Sequence, residues 1–246
     1  MTIIAGRSGS NFATYQEVIS QPLPQKTRSY VPISNRDLIG LVEHKAKEIT
    51  GMEVSNRQYV LGAKGAQMFG SVTLKSNDED RNVLLGFANS YDKSLSIRIV
   101  SGASIMVCSN MCISGSDFTS SRKHTTNMSG EIEGLVHAAV SAATDNYANI
   151  ASTLDEWKTR EVSWERGAEI LGLSFFEGIM SPRQTSIAVT DWRNAKNGKP
   201  RHQEFKDPTM YSLYNAVTEG LKNGPASSVS DRYREAHRWV EQLVAA

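Results

Sequence analysis

Cysteine is nearly absent from this chain. Only Cys108 and Cys112 occur in 246 residues, four apart in a segment that reads as a strand running into a loop. Zinc pairs use tighter spacing and need two further ligands, and no second Cys or His pair accompanies these. They read as reduced, buried thiols without a metal, which fits a reducing compartment. Long apolar runs are missing too, the longest falling far short of the ~20 residues of a membrane span. The segment from Met1 to Arg7 lacks the charged leader and apolar core of a secretory signal. The cytoplasm is therefore the expected location, with no membrane contact. Excess charge is also lacking: 27 Lys and Arg stand against 26 Asp and Glu, a formal net charge of +1. A protein that held duplex DNA by overall charge would be more basic, although a local basic groove can coexist with an acidic back face.

Signatures of chemistry are scarce as well. Gly62-Ala63-Lys64-Gly65 sets a lysine among glycines, but no Ser/Thr-led helix follows, so a bulge or hairpin explains it better than a phosphate loop. The histidines, His44, His124, His137, His202 and His237, lie too far apart for a local metal motif. Glu204-Phe205-Lys206 with Asp191 upstream resembles half of a metal-dependent nuclease site, yet it falls in a loop between helices and chance accounts for it. No catalytic constellation emerges and no cofactor is expected.

What is present is an ordinary globular balance, 39% apolar and 22% charged, enough to bury one large core. Residues 1–33, broken by Gly6, Gly9, Pro22, Pro24 and Pro32, read as an extended arm ending in Tyr30-Val31-Pro32. Ser34 caps a helix whose apolar face is Leu38, Leu41, Val42 and Ile49, stopped by Gly51. Strands follow at Tyr59–Leu61, Gln67–Leu74 and Val83–Phe87. Leu95, Ile97 and Ile99 alternate with polar residues in the period-two pattern of a half-buried strand. Ser101-Gly102 is read as a tight hairpin turn with Ile105, Val107 and Cys108 on the return strand. From Ser129, Ile132, Leu135, Val136, Ala139, Val140, Ala143, Tyr147, Ile150, Leu154 and Trp157 recur in steps of three and four. They define one helix of about thirty residues. Shorter helices are expected from Ser181-Pro182 to about Asn194, after Asp207-Pro208, and from about Asp231 to Leu243. The expected fold is α+β: an antiparallel sheet of four to five strands packed by a long helix, followed by a helical C-terminal region. The division is an arm at 1–33, an α+β core at 34–160 and a helical region at 161–246.

Two stretches concentrate positive charge. Ser120-Ser121-Arg122-Lys123-His124-Thr125-Thr126 is a basic loop just before the long helix, read either as a phosphate dock at the helix N-terminus or as a solvated loop. From Arg193 to His202, the residues Arg193, Lys196, Lys199 and Arg201 adjoin Trp192 and precede Phe205. Cations interleaved with aromatics suit single-stranded nucleic acid, because phosphates pair and bases stack. The competing reading is a flexible solvated loop.

The order of several short segments resembles a known family. Asn89-Ser90-Tyr91-Asp92-Lys93-Ser94 followed by Val107-Cys108-Ser109-Asn110 resembles the "N-S-H-D-G-S … V-C-S-N" pattern of a phage/plasmid-like family of unknown function. Arg122-Lys123-His124-Thr125 is similar to that family's basic stretch, and Tyr211 to Glu219 to its late helix. Tyr91 and Lys93 stand where the family usually has His and Gly, and Tyr211 where it has Trp. The resemblance implies an accessory gene of phages or plasmids, in the company of replication, recombination or anti-defence genes. On this reading the leading expectation is a nucleic-acid-binding accessory protein, acting on single-stranded DNA through Arg98, Arg122, Lys123, His124, Trp192, Arg193, Lys196, Lys199 and Arg201. The helix, hairpins and long-helix order over 34–160 is also similar to the core of phage single-strand annealing proteins. The second expectation is an inhibitor that binds a host protein, and an enzyme ranks last. Self-association is left open.

Overall fold

The computed structural model describes residues 12–78, 80–105, 111–112, 119–124, 128–222, 224 and 228–245. After the start of this range comes a short helix, α1 (Tyr15–Ile19), where an irregular arm was expected. The Thr14 hydroxyl accepts the Glu17 amide while the Glu17 carboxylate accepts the Thr14 amide, a complete capping box. An extended stretch then leads to α2 (Asn35–Thr50), capped by Ser34 and ended by Gly51, whose φ of 67° is the left-handed cap that glycine adopts without strain.

Four long strands follow as an antiparallel meander: β1 (Val54–Gly62), β2 (Gln67–Leu74), β3 (Arg81–Ser90) and β4 (Ile97–Ile105). Two short strands, β5 (Met111–Cys112) and β6 (Thr119–Arg122), both pair with the free edge of β4. The expected turn at Ser101-Gly102 is not a turn. These residues lie inside β4, opposite Leu85 and Leu84 of β3. The hairpin instead lies between Ser90 and Ile97. The expected return strand through Val107 and Cys108 falls outside the described residues.

The long helix is α3 (Met128–Thr159). Four shorter ones complete the chain: α4 (Trp164–Phe176), α5 (Pro182–Lys196), α6 (Met210–Leu221) and α7 (Val229–Ala245). Ser181 and Gln184 cap α5 reciprocally with Pro182 in the first turn, as their spacing implies. The fold is α+β, with an antiparallel sheet followed by helices.

Two apolar cores meet along α3. In the first, Met68, Val72, Val83, Leu85, Ile97 and Ile99 from one face of the sheet pack against Leu38 and Val42 of α2 and against Ile132, Val136 and Val140 of α3. In the second, Ile150, Leu154 and Trp157 from the far half of α3 join α4 to α7 and both faces of the sheet, through Ala103 and Ile105 on the face of the first core and Leu84 and Val100 on the other. The apolar stripe on α3 was expected to lie across the sheet over its whole length. Its first half lies on the sheet with α2, and its second half meets the sheet through Ala103 and Ile105 while also forming the centre of the helical region. Arg81, 5% exposed, fixes the crossing point. It donates to Asp78 of the preceding turn and to the Ala151 carbonyl and Asp155 of α3. The Tyr147 hydroxyl donates to the same Asp78 at 2.9 Å. Burial alone would raise the Asp78 carboxyl, but the Asp80 amide, Tyr147 and Arg81 together hold it below the ordinary Asp value.

Candidate functional site

The β3–β4 hairpin is built from the segment Asn89 to Ser94. Asp92 accepts the Ser94 amide at 3.0 Å, and the Ser90 hydroxyl closes the loop by donating to the Leu95 carbonyl and accepting its amide. The Gln67 amide nitrogen donates to Ser94 across from β2 at 2.7 Å. This lacing holds Lys93 at φ 65°, a left-handed conformation that costs a residue with a Cβ roughly 1–2 kcal/mol. Glycine, the residue of the resembled pattern at this position, would adopt this angle without that cost.

The same hairpin fastens the N-terminal arm. The buried Asn89 donates to the Ile33 carbonyl and to Asn35, and Asn35 donates to the Val18 carbonyl. The Tyr91 hydroxyl accepts the Asn35 amide at 2.8 Å, satisfying one of the open donors at the start of α2. A histidine nitrogen can accept the same amide, so Tyr91 in place of His keeps the contact.

The arm returns to meet the end of β6. The Val31 amide donates to the His124 carbonyl at 3.3 Å, and the Tyr30 and His124 rings pack tilted at 5.4 Å. The Lys93 ammonium lies 4.8 Å from the centre of the Tyr30 ring, a cation–π distance. Ser29, Tyr30, Lys93, Ser94, Leu95, Ser96, Lys123 and His124 line an open cleft of about 360 Å³. Two segments of the resembled pattern, Asn89–Ser94 through Lys93 and Ser94 and the basic stretch through Lys123 and His124, thus contribute to its lining. The third, Val107 to Asn110, lies outside the described residues, and so does Cys108. The fourth lies in α6, where Tyr211, Tyr214, Asn215 and Thr218 are buried in the second core.

The chemistry of the cleft is specific. Lys93 and Lys123 are exposed, and neither forms an ion pair with a described residue. His124 is 6% exposed, yet neither ring nitrogen has a hydrogen-bond partner among the described residues. Burial pushes its imidazole below the ordinary value, against a smaller opposing pull from the Val31 main chain, so the neutral form prevails at pH 7. A neutral imidazole carries one donor and one acceptor. Leaving both idle in a closed interior costs roughly 1–3 kcal/mol each. The Tyr30 hydroxyl, in turn, is turned inward toward the Ser90 and Tyr91 carbonyls at 3.4 and 3.5 Å.

The other nominated residues are placed differently. Arg98 of β4 is tied to Asp231 of α7 at 2.8 Å. Trp192 is not available for stacking: it is 3% exposed, donates its indole N–H to the Trp164 carbonyl and packs on the Trp164 ring. Arg201 braces α5 to α6, paired with Asp191 and Glu219 at 3.1 and 2.7 Å. Lys196 meets Glu165 on the surface. Arg193 and Lys199 are exposed. The backbone of Arg122 lies in β6, and its side chain is outside the described set. Of the four cations read at Arg193 to Arg201, two, Lys196 and Arg201, are therefore matched by acids. Lys93, Tyr30, Ser29 and Ser96 were not read as site residues from the sequence, and they line the same cleft as Lys123 and His124.

A second concavity is acidic, lined by Asp80, Lys158, Glu204, Asp207, Thr209 and Tyr211. Lys158 bridges to Asp80 at 2.6 Å. No group of three or more His, Cys, Asp or Glu among the described residues is arranged to hold a metal ion. No helix among them is long and apolar enough to cross a membrane.

A family model matches residues 23–242, which takes in the end of the arm, the hairpin, β6, the helices α2 to α6 and most of α7. The chain belongs to the family described as Domain of unknown function (DUF932). No curated protein and no solved structure matches this DUF932 chain.

Proposed function

We propose that this DUF932 domain binds nucleic acid, with the Lys93–Lys123–His124 cleft as its phosphate-holding site. We further propose that it serves as an accessory protein of a phage or plasmid, acting on single-stranded DNA in recombination or DNA processing. The observation that carries the reading is the cleft, where two lysines without acidic partners flank a buried histidine whose nitrogens are idle. Phosphate oxygens are acceptors, and such a donor set answers them. A net charge of +1 fits a local contact better than a wrapped duplex.

The test is a titration of the intact protein with labelled single-stranded DNA, the matching duplex and RNA of the same sequence. Binding is expected to weaken with salt by about 0.7 log units per phosphate contact per decade for single strands. Lys123→Glu and Lys93→Glu are expected to weaken binding and flatten that slope. A well-folded wild-type protein that binds none of the three strands at low salt refutes the reading. The alternative, an inhibitor docking on a host protein, draws support from Phe175 and Phe176 at the end of α4, which are 51% and 85% exposed. It becomes the first choice on that outcome.

A further inference from the structure

We infer that the cleft is shaped for a terminal phosphate monoester, the phosphorylated end of a strand or a nucleoside monophosphate, rather than for an internal phosphodiester. The inference deepens the proposed function and rests on the same cleft.

Charge matching is the first argument. A phosphodiester carries one negative charge, whereas a monoester carries about −1.5 to −2 at pH 7 and three acceptor oxygens. Lys93 and Lys123 both line the cleft and bring two positive charges. A monoester is neutralised by the pair, and a diester leaves one lysine unmatched. His124 adds an N–H donor without adding a third charge, since burial keeps it neutral.

The second argument is the donor inventory. Ser94 is spent, its hydroxyl engaged with Asp92 and accepting from Gln67. Tyr30 points its hydroxyl at main-chain carbonyls. What remains is Ser29, Ser96, two ammonium groups and the His124 ring, a cluster confined to one concavity. A strand bound along its length needs cations at successive phosphates. Arg98, Lys196 and Arg201 are instead paired with Asp231, Glu165, Asp191 and Glu219.

The experiment compares one single-stranded oligonucleotide in four forms: 5′-phosphorylated, 3′-phosphorylated, with hydroxyls at both ends, and circularised. A nucleoside 5′-monophosphate and inorganic phosphate are titrated separately by calorimetry. The expected result is that one phosphorylated end binds about ten-fold tighter than the hydroxyl form, the worth of one or two charge-assisted contacts. The monophosphate is expected to compete with it. Lys93→Gln, Lys123→Gln and His124→Phe should each abolish that preference. Lys75→Gln should leave it intact, because Lys75 follows β2 at the sheet end opposite the hairpin. If His124→Phe does not fold, the two lysine variants still decide. Equal binding of phosphorylated, hydroxyl and circular forms overturns the inference while leaving nucleic-acid binding standing. Binding of the monophosphate with no binding of any strand supports the monoester site and overturns the proposed function. No binding of any ligand overturns both.

Discussion

Trp192 offers a sharp test of the placement of α5. Truncating a buried Trp to Ala costs about 3–5 kcal/mol. The upper part of that range applies here, because the indole bond to the Trp164 carbonyl and the 4.7 Å pairing of the two rings go with it. Such a loss is a large part of the roughly 5–15 kcal/mol that holds a domain together. The ring also explains a glycine. A Cβ built on Gly167 of α4 comes within 2.3 Å of the Trp192 ring, so Gly167→Ala forces an overlap that costs about 1–3 kcal/mol. Without the ring the atoms nearest that Cβ are gone, and the same substitution gains the helix propensity of alanine, about 1 kcal/mol. Gly167→Ala should therefore destabilise the wild type and stabilise Trp192→Ala, a reversal of sign equivalent to about 2 kcal/mol or more of coupling. Urea unfolding followed by far-ultraviolet circular dichroism reads all four proteins without relying on tryptophan emission. An unchanged midpoint for Trp192→Ala would refute the packing. Equal effects of Gly167→Ala in both backgrounds would show that the ring does not fill the space above Gly167.

The remaining predictions probe the joints. Val140→Asp sets a charge into the first core, where Val140 is fully buried, and should cost at least about 2 kcal/mol; a soluble variant with an unshifted melting temperature contradicts the face assigned to α3. Tyr91→Phe removes the acceptor of the Asn35 amide and should cost about 1 kcal/mol, seen as a lower urea midpoint. For Asp78, whose folded-state pKa is depressed, the stabilising contribution is present above the ordinary value of 3.8 and is lost as the pH falls through the lowered value. Asp78→Asn should be less stable than wild type at neutral pH and should lose less stability on acidification, measured by unfolding across that range.

Much of the architecture was legible because it repeats. The α3 stripe runs in steps of three and four for some thirty residues, and the alternation of Leu95, Ile97 and Ile99 announces a strand with one buried face. Ser101-Gly102 misled because small residues serve two purposes. Here they sit opposite Leu85 and Leu84 within a strand covered on both faces, while the true turn contains no glycine and rests on Lys93 in a left-handed conformation. Trp192 misled through its basic neighbours, although Ala188, Trp192 and Ala195 lie at steps of four and three and mark the buried side of α5. The cleft was only half legible. Lys123 and His124 stood out by charge, but Tyr30 and Lys93 come from segments far apart in sequence, and no local spacing connects them.

The position of α3 also shapes the order in which the protein can be made. Residues 54–105 leave the ribosome as a sheet whose apolar side is covered only by α1 and α2, because Ile132, Val136 and Val140 have not yet been synthesised. The helices of residues 164–245 cannot settle before Trp157 and Leu154 are in place. The nascent chain therefore carries an open greasy surface until residues 128–159 have emerged. A pause or truncation just ahead of α3 exposes that surface to its neighbours, and aggregation of such fragments is the natural result.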